Sequence, residues 1–186
     1  MATLRRFFPL LVTILILAIA LASTVNGADP GTGKVSGAGR ALSSELAGGW
    51  HLVRTPNPNG GADAISIMHT ADTSRSDLDF VGLMIRCSEP SAEVVIVLIR
   101  PLPFGVRPHV AFGKPDNETQ FEATVAPPGT AVLLPSEATT LVGGSWQALD
   151  NLFVRIDDGQ STISGVVKLA GLQAAFKELQ ASCRTQ

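Results

Sequence analysis

Several stretches of this chain carry residue types that could do chemistry, and the first is Gly143 to Gln147, GGSWQ. It opens like the Gly-x-Ser-x-Gly corner that presents a nucleophilic serine between a strand and a helix. Its fifth position is Gln147 instead of glycine and no strand runs into it, so Ser145 reads as a turn residue. The three histidines, His51, His69 and His109, are far apart in sequence and form no HxH or HExxH pair that would aim two imidazoles at one metal. Each reads as a surface or strand-end residue. Asp157 and Asp158 could serve as paired carboxylates for acid and base work, yet Asp-Asp-Gly between two apolar runs is what a tight hairpin requires. Gly31 to Lys34, GTGK, lacks the first glycine and the Ser or Thr of a phosphate loop, with Ala28 and Val35 in those places. Asn117 begins Asn-Glu-Thr, a glycosylation acceptor only in a eukaryotic secretory pathway. No catalytic, cofactor-binding or metal site follows from these residues.

The remaining reactive pair is Cys87 and Cys183, the only cysteines. They show no CxxC spacing, which removes thiol exchange. Leu172, Ala175, Phe176, Leu179 and Cys183 fall at helical spacing on one face of a C-terminal amphipathic helix, so Cys183 faces the core. In the stretch Leu78 to Cys87, LDFVGLMIRC, period two puts Val81, Leu83, Ile85 and Cys87 on one face of a strand. A helix packed across the sheet could bring the sulfurs together, and an even cysteine count in an exported chain supports a disulfide. Two buried free thiols are the alternative.

The start of the chain bears on that compartment. MATLRR is followed by an apolar run from Phe7 to Ala22 and a small-residue stretch to Ala28, the plan of a secretory signal peptide over residues 1–28. The run is short of the roughly 20 residues of an ordinary membrane span and holds Pro9 near its start. Cleavage is expected after Gly27 or Ala28, or earlier after Ala22; a retained segment would instead anchor the domain at the membrane. No cysteine follows the run to carry a thioether-linked lipid. A periplasmic or secreted location is therefore expected. Residues 29–49, rich in Gly, Ser and Ala without apolar periodicity, read as a flexible leader. Residues 50–186 are the size of one domain.

A formal net charge of -2, from 14 basic and 16 acidic residues, offers no basic surplus for a phosphate backbone, so nucleic acid is excluded. The absence of tyrosine also argues against a base- or sugar-stacking surface.

Strands are expected from Trp50, over Ala64 to Met68, through the stretch ending at Cys87, and over Val94 to Ile99, the last two paired antiparallel around Pro90. Arg100 to Pro108, with its prolines, must be a loop or sheet edge. His109 to Phe112 and Thr119 to Val125 alternate as half-exposed strands, with Val110, Phe112, Phe121, Ala123 and Val125 inward. After Pro127, Pro128 and Gly129 comes Ala131 to Leu134, then a short helix from Ser136 ended by Gly143 and Gly144. Trp146 and Leu149 are expected to cover one end of the core. Leu152 to Ile156 and Ile163 to Leu169 make the last hairpin. The fold class is mainly β (α+β): an antiparallel β-sandwich or curved sheet of about eight strands with one C-terminal α-helix packed on it.

Trp50, the strand ending LMIRC (Leu83 to Cys87), LFVRI (Leu152 to Ile156) and VVKLAGLQAAFKELQASC (Val166 to Cys183) together resemble exported proteobacterial proteins of the type VI secretion-associated VasI family. The ending is also similar to that of invasion-associated locus B proteins. Where the VasI pattern runs toward a Tyr-Arg pair, this chain has His109 to Lys114, HVAFGK, and the early cysteine pair of locus B proteins is missing. The resemblance implies a small periplasmic β-rich domain with no established enzymatic activity. The expected function is that of a non-catalytic periplasmic accessory protein binding another envelope protein, with the half-exposed strands from His109 to Val125 as its surface. The rivals are a small-ligand or lipid-binding module with a pocket between sheet and helix, and an enzyme whose residues converge only in the fold.

Overall fold

The computed structural model describes residues 40–89, 91–114 and 117–184. The signal segment, the GTGK stretch and the leader up to residue 39 lie outside the described residues. Eleven strands form two antiparallel sheets in a sandwich-like arrangement. The larger sheet contains β1 (Leu42–Glu45), β2 (His51–Thr55), β3 (Ala64–Thr70), β4 (Phe80–Cys87) and β5 (Ala92–Leu98), and then β9 (Ala131–Leu133) and β8 (Thr124–Ala126). The smaller is ordered β11 (Thr162–Lys168), β10 (Asn151–Asp157), β6 (His109–Lys114), β7 (Asn117–Glu122). Helix α1 (Glu137–Gly143) and a 3-10 turn at Ser145–Ala148 connect β9 to β10, and α2 (Leu172–Cys183) follows β11.

Alternation dictates which face each strand buries. Leu52, Ile67, Ile85 and Val94 sit opposite one another across four strands, all buried. Helix α2 covers this face over β2, β3 and β4, burying Leu172, Ala175, Phe176 and Leu179 as its spacing predicts. At roughly 25 cal/mol per Å² of apolar surface removed from water, these four side chains stabilise the docked helix by several kcal/mol.

The structure adds two features that the pattern does not carry. Order begins before Trp50: Leu42–Glu45 pairs with β2 although all four of its residues are exposed. Pairing with β2 holds β1 in place, and its four exposed residues carry no alternation of apolar and polar side chains. In β4, Val81 is only half-buried and Phe80 points inward in its place, because a register shift between Phe80 and Gly82 breaks the period of two. Gly82 has φ 154°, and a Cβ there would run into the His69 carbonyl oxygen.

The two ends of the domain meet at a glycine contact. Gly171, at φ 80°, turns the chain from β11 into α2, and a Cβ on it would strike the Ala47 carbonyl; a Cβ on Gly48 would strike the Ala170 carbonyl. His69 is buried beside them, one ring nitrogen 2.7 Å from the Thr70 carbonyl oxygen and the other 3.0 Å from that of Gly48. Its ring meets the fully buried Trp50 edge-on at 5.2 Å.

Candidate functional site

Cys87 and Cys183 form a disulfide, with Cα atoms 5.7 Å apart, tying the far end of β4 to the last turn of α2. Such a bond persists in oxidising compartments. No helix among the described residues is long and apolar enough to cross a membrane.

The other reactive residues are dispersed. Ser145 is exposed at the start of its 3-10 turn, next to the buried Trp146. His51 lies exposed on β2, His69 is buried, and His109 is exposed on the smaller sheet. Among the described residues no three His, Cys, Asp or Glu side chains converge. Asp157 and Asp158 serve their own hairpin. Asp157 accepts the Gly159 N–H at 2.9 Å, and Asp158 accepts those of Gln160 and Ser161. These backbone donors hold the Asp158 carboxyl below its ordinary range.

The smaller sheet offers a different kind of site. Its β11 edge is closed by the loop between β3 and β4: Asp72 N–H and Asp77 N–H donate to the Val166 and Ser164 carbonyls, while Ser76 Oγ and Asp77 Oδ2 accept the Val166 and Ser164 amides. Gly165, between them, leaves room for the Phe80 ring against the strand. Its opposite edge, β7, pairs with β6 alone.

Register fixes what β7 presents. Asn117, Thr119 and Phe121 lie opposite Lys114, Phe112 and Val110, so Thr119 and Phe121 share the inward face of the sheet with the buried Phe112 and Val110. Thr119 is nevertheless exposed, because the sandwich is uncovered there. A cleft of about 360 Å³ opens at this place, walled by Phe112, Leu141, Trp146, Leu149 and Leu152 with Asn117 and Thr119 on its β7 side. Phe112 meets Trp146 at 5.0 Å and Phe121 at 6.1 Å, which fixes the ring that forms its floor. On the other face Glu118 pairs with Arg155 of β10, and Glu122 with Arg107 at 2.8 Å. Hydrogen bonds from these guanidiniums hold both carboxyls below the usual range. Just past β7, the Ala123 amide donates to Pro108 and the chain crosses into the larger sheet as β8.

A second cleft, of about 490 Å³, lies between α2, α1 and the β4–β5 turn, with the disulfide, Phe176, Gln180, Thr139 and Glu89 along it.

No family model, no curated protein and no solved structure matches this chain.

Trp146 covers the core as its position predicts, but Leu149 is 42% exposed and borders the cleft instead, and its grouping with Leu141 depends on contacts distant in sequence. The one local signal was polar Asn117 and Thr119 at inward-facing positions of an alternating strand.

Proposed function

We propose that this is a non-catalytic periplasmic accessory protein that binds an extended segment of another envelope protein along β7. The observation that carries this reading is the pairing of an open strand edge with an apolar cleft on its inward side. Strand addition supplies main-chain hydrogen bonds, and a pocket for alternate side chains supplies selectivity. A strand laid beside β7 would place every second residue over the cleft walled by Phe112, Trp146 and Leu149. The disulfide supports an oxidising compartment, and the likeness to VasI proteins agrees with an accessory role.

The test is photo-crosslinking in cells, with the crosslinking residue at Thr119 or Gln120 on β7 and, as control, at Ser164 on β11. Adducts to one envelope protein from β7 positions alone are expected. Equal adducts from both edges, or none from β7, would overturn the proposal. The cleft beside the disulfide favours a second reading, a small ligand held between helix and sheet. Native mass spectrometry of the purified protein separates the two, since that reading requires a bound small molecule.

A further inference from the structure

Three large apolar side chains stand in water at one end of the sandwich: Leu78 is 89% exposed, Phe104 70% and Ile99 65%. Antiparallel pairing ends β3 and β5 and begins β4 at this end, and the loop leaving β5 leads to the start of β6, which pairs with the end of β10 whose hairpin Arg100 reaches at Ser161. The Ile99 amide donates to the Asp79 carbonyl at 2.9 Å, which sets Ile99 beside Leu78, and Phe104 lies on the same loop as Ile99.

These loops are fastened. The Arg75 amide donates to the Asp72 carbonyl at 3.0 Å, Phe80 to Asp77 at 3.0 Å, and Leu102 to Gly129 at 3.0 Å. Arg100 Nε holds the Asp79 carboxylate at 2.9 Å and its Nη2 reaches Ser161. The fold thus carries Leu78 and Ile99 on hydrogen-bonded backbone with their side chains in water, and Phe104 exposed on the loop that follows, which has a cost unless a partner removes them from water.

The charges around it say which partner. Asp77, Asp79, Glu122, Asp157 and Asp158 belong to these loops and strand ends, against Arg100 and Arg107, while Asp72 lies further along the β11 edge beside Val166, with Lys168 and Arg75 nearby. Arg100 and Arg107 are engaged by Asp79 and Glu122, and Arg75 lies over the Phe153 ring at 5.2 Å. Backbone amides donate to Asp158 and hold its carboxyl below the ordinary range, so it keeps its charge into acid. An apolar centre with an anionic rim repels an anionic lipid surface. It equally repels a second copy of itself docked end to end.

From this we infer that the loop end carrying Leu78, Ile99 and Phe104 is a docking surface for a protein partner that presents apolar side chains ringed by Lys and Arg. The surface is separate from the β7 edge and stands or falls independently of it.

The experiment is an amide chemical-shift titration of the purified protein with two synthetic probes, Lys-Arg-Trp-Leu-Phe-Arg-Lys and Glu-Glu-Trp-Leu-Phe-Glu-Glu. Expected are shifts around Leu78, Ile99 and Phe104 with the basic probe only, weakened by salt. In the double variant L78S/I99S binding should fall by about tenfold, as the loss of two apolar contacts implies, with an unchanged thermal midpoint because both side chains are exposed. Equal binding of the acidic probe, shifts mapping elsewhere, or no binding of either probe would overturn the inference. So would co-sedimentation with phosphatidylglycerol vesicles or dimerisation, if L78S/I99S abolishes it.

Discussion

The two edges of the smaller sheet meet opposite fates. At β11 a loop lends the strand two donors and two acceptors, and Gly165 lets Phe80 press against it. At β7 the chain supplies no such cover among the described residues, and the inward face beside it is left partly empty. An uncovered edge is a template for unwanted pairing, and folds usually blunt it. That one edge is closed by a dedicated loop and the other left beside an apolar cleft separates what this sheet needs for its own stability from what it offers to others.

The strongest way to break this comparison is to remove the disulfide. In the chain-entropy description a bridge spanning 96 residues is worth roughly 4 to 5 kcal/mol. The double variant C87A/C183A should therefore unfold at much lower denaturant, and global opening should level amide exchange at β7 and β11. Survival of the difference after that loss would mean the two edges do not belong to one cooperative unit. Next in size is G165V, which puts a side chain where the Phe80 ring lies and should cost about 1–3 kcal/mol by overpacking. Gln120→Val at the exposed β7 edge should stay within about 0.5 kcal/mol in the same chemical denaturation measurement. A finer probe is S76A: the Val166 amide loses its acceptor, stability falls by about 1 kcal/mol, and hydrogen exchange rises at Val166 but not on β7.

The smallest effect is on pH. Glu118 and Glu122 have folded-state pKa values depressed below the ordinary 4.5, so their contribution is present above that value and lost as pH falls through the folded-state value. Protection of the β6 and β7 amides, corrected for the intrinsic exchange rate at each pH, should fall in acid, and E118Q with E122Q should flatten that dependence.

What the sequence made legible were features written locally. The stripe of α2 and the Asp157–Gly159 hairpin stand where periodicity and turn chemistry put them, and the inward-facing cysteines do meet. What escaped depends on distant contacts. The shift at Phe80 and Gly82 answers to the backbone of His69, which no pattern within β4 encodes. Leu78 and Ile99 looked like the ends of apolar strands, yet β4 begins at Phe80 and β5 ends at Leu98, leaving both in water. Hydropathy cannot tell where a sheet stops. Nor does alternation in β7 reveal that nothing lies beyond it, because strand order is a property of the whole chain.

The contact between Gly48 and Gly171 also fixes an order of events in time. The turn at Gly48, between β1 and Trp50, packs against the turn that opens α2, more than a hundred residues later, and α2 in turn supplies Leu172, Phe176 and Leu179 to the interior. A nascent chain lacking those residues can pair β1 with β2 but cannot close the Gly48 turn or fill the interior, so the domain completes itself only after synthesis of α2.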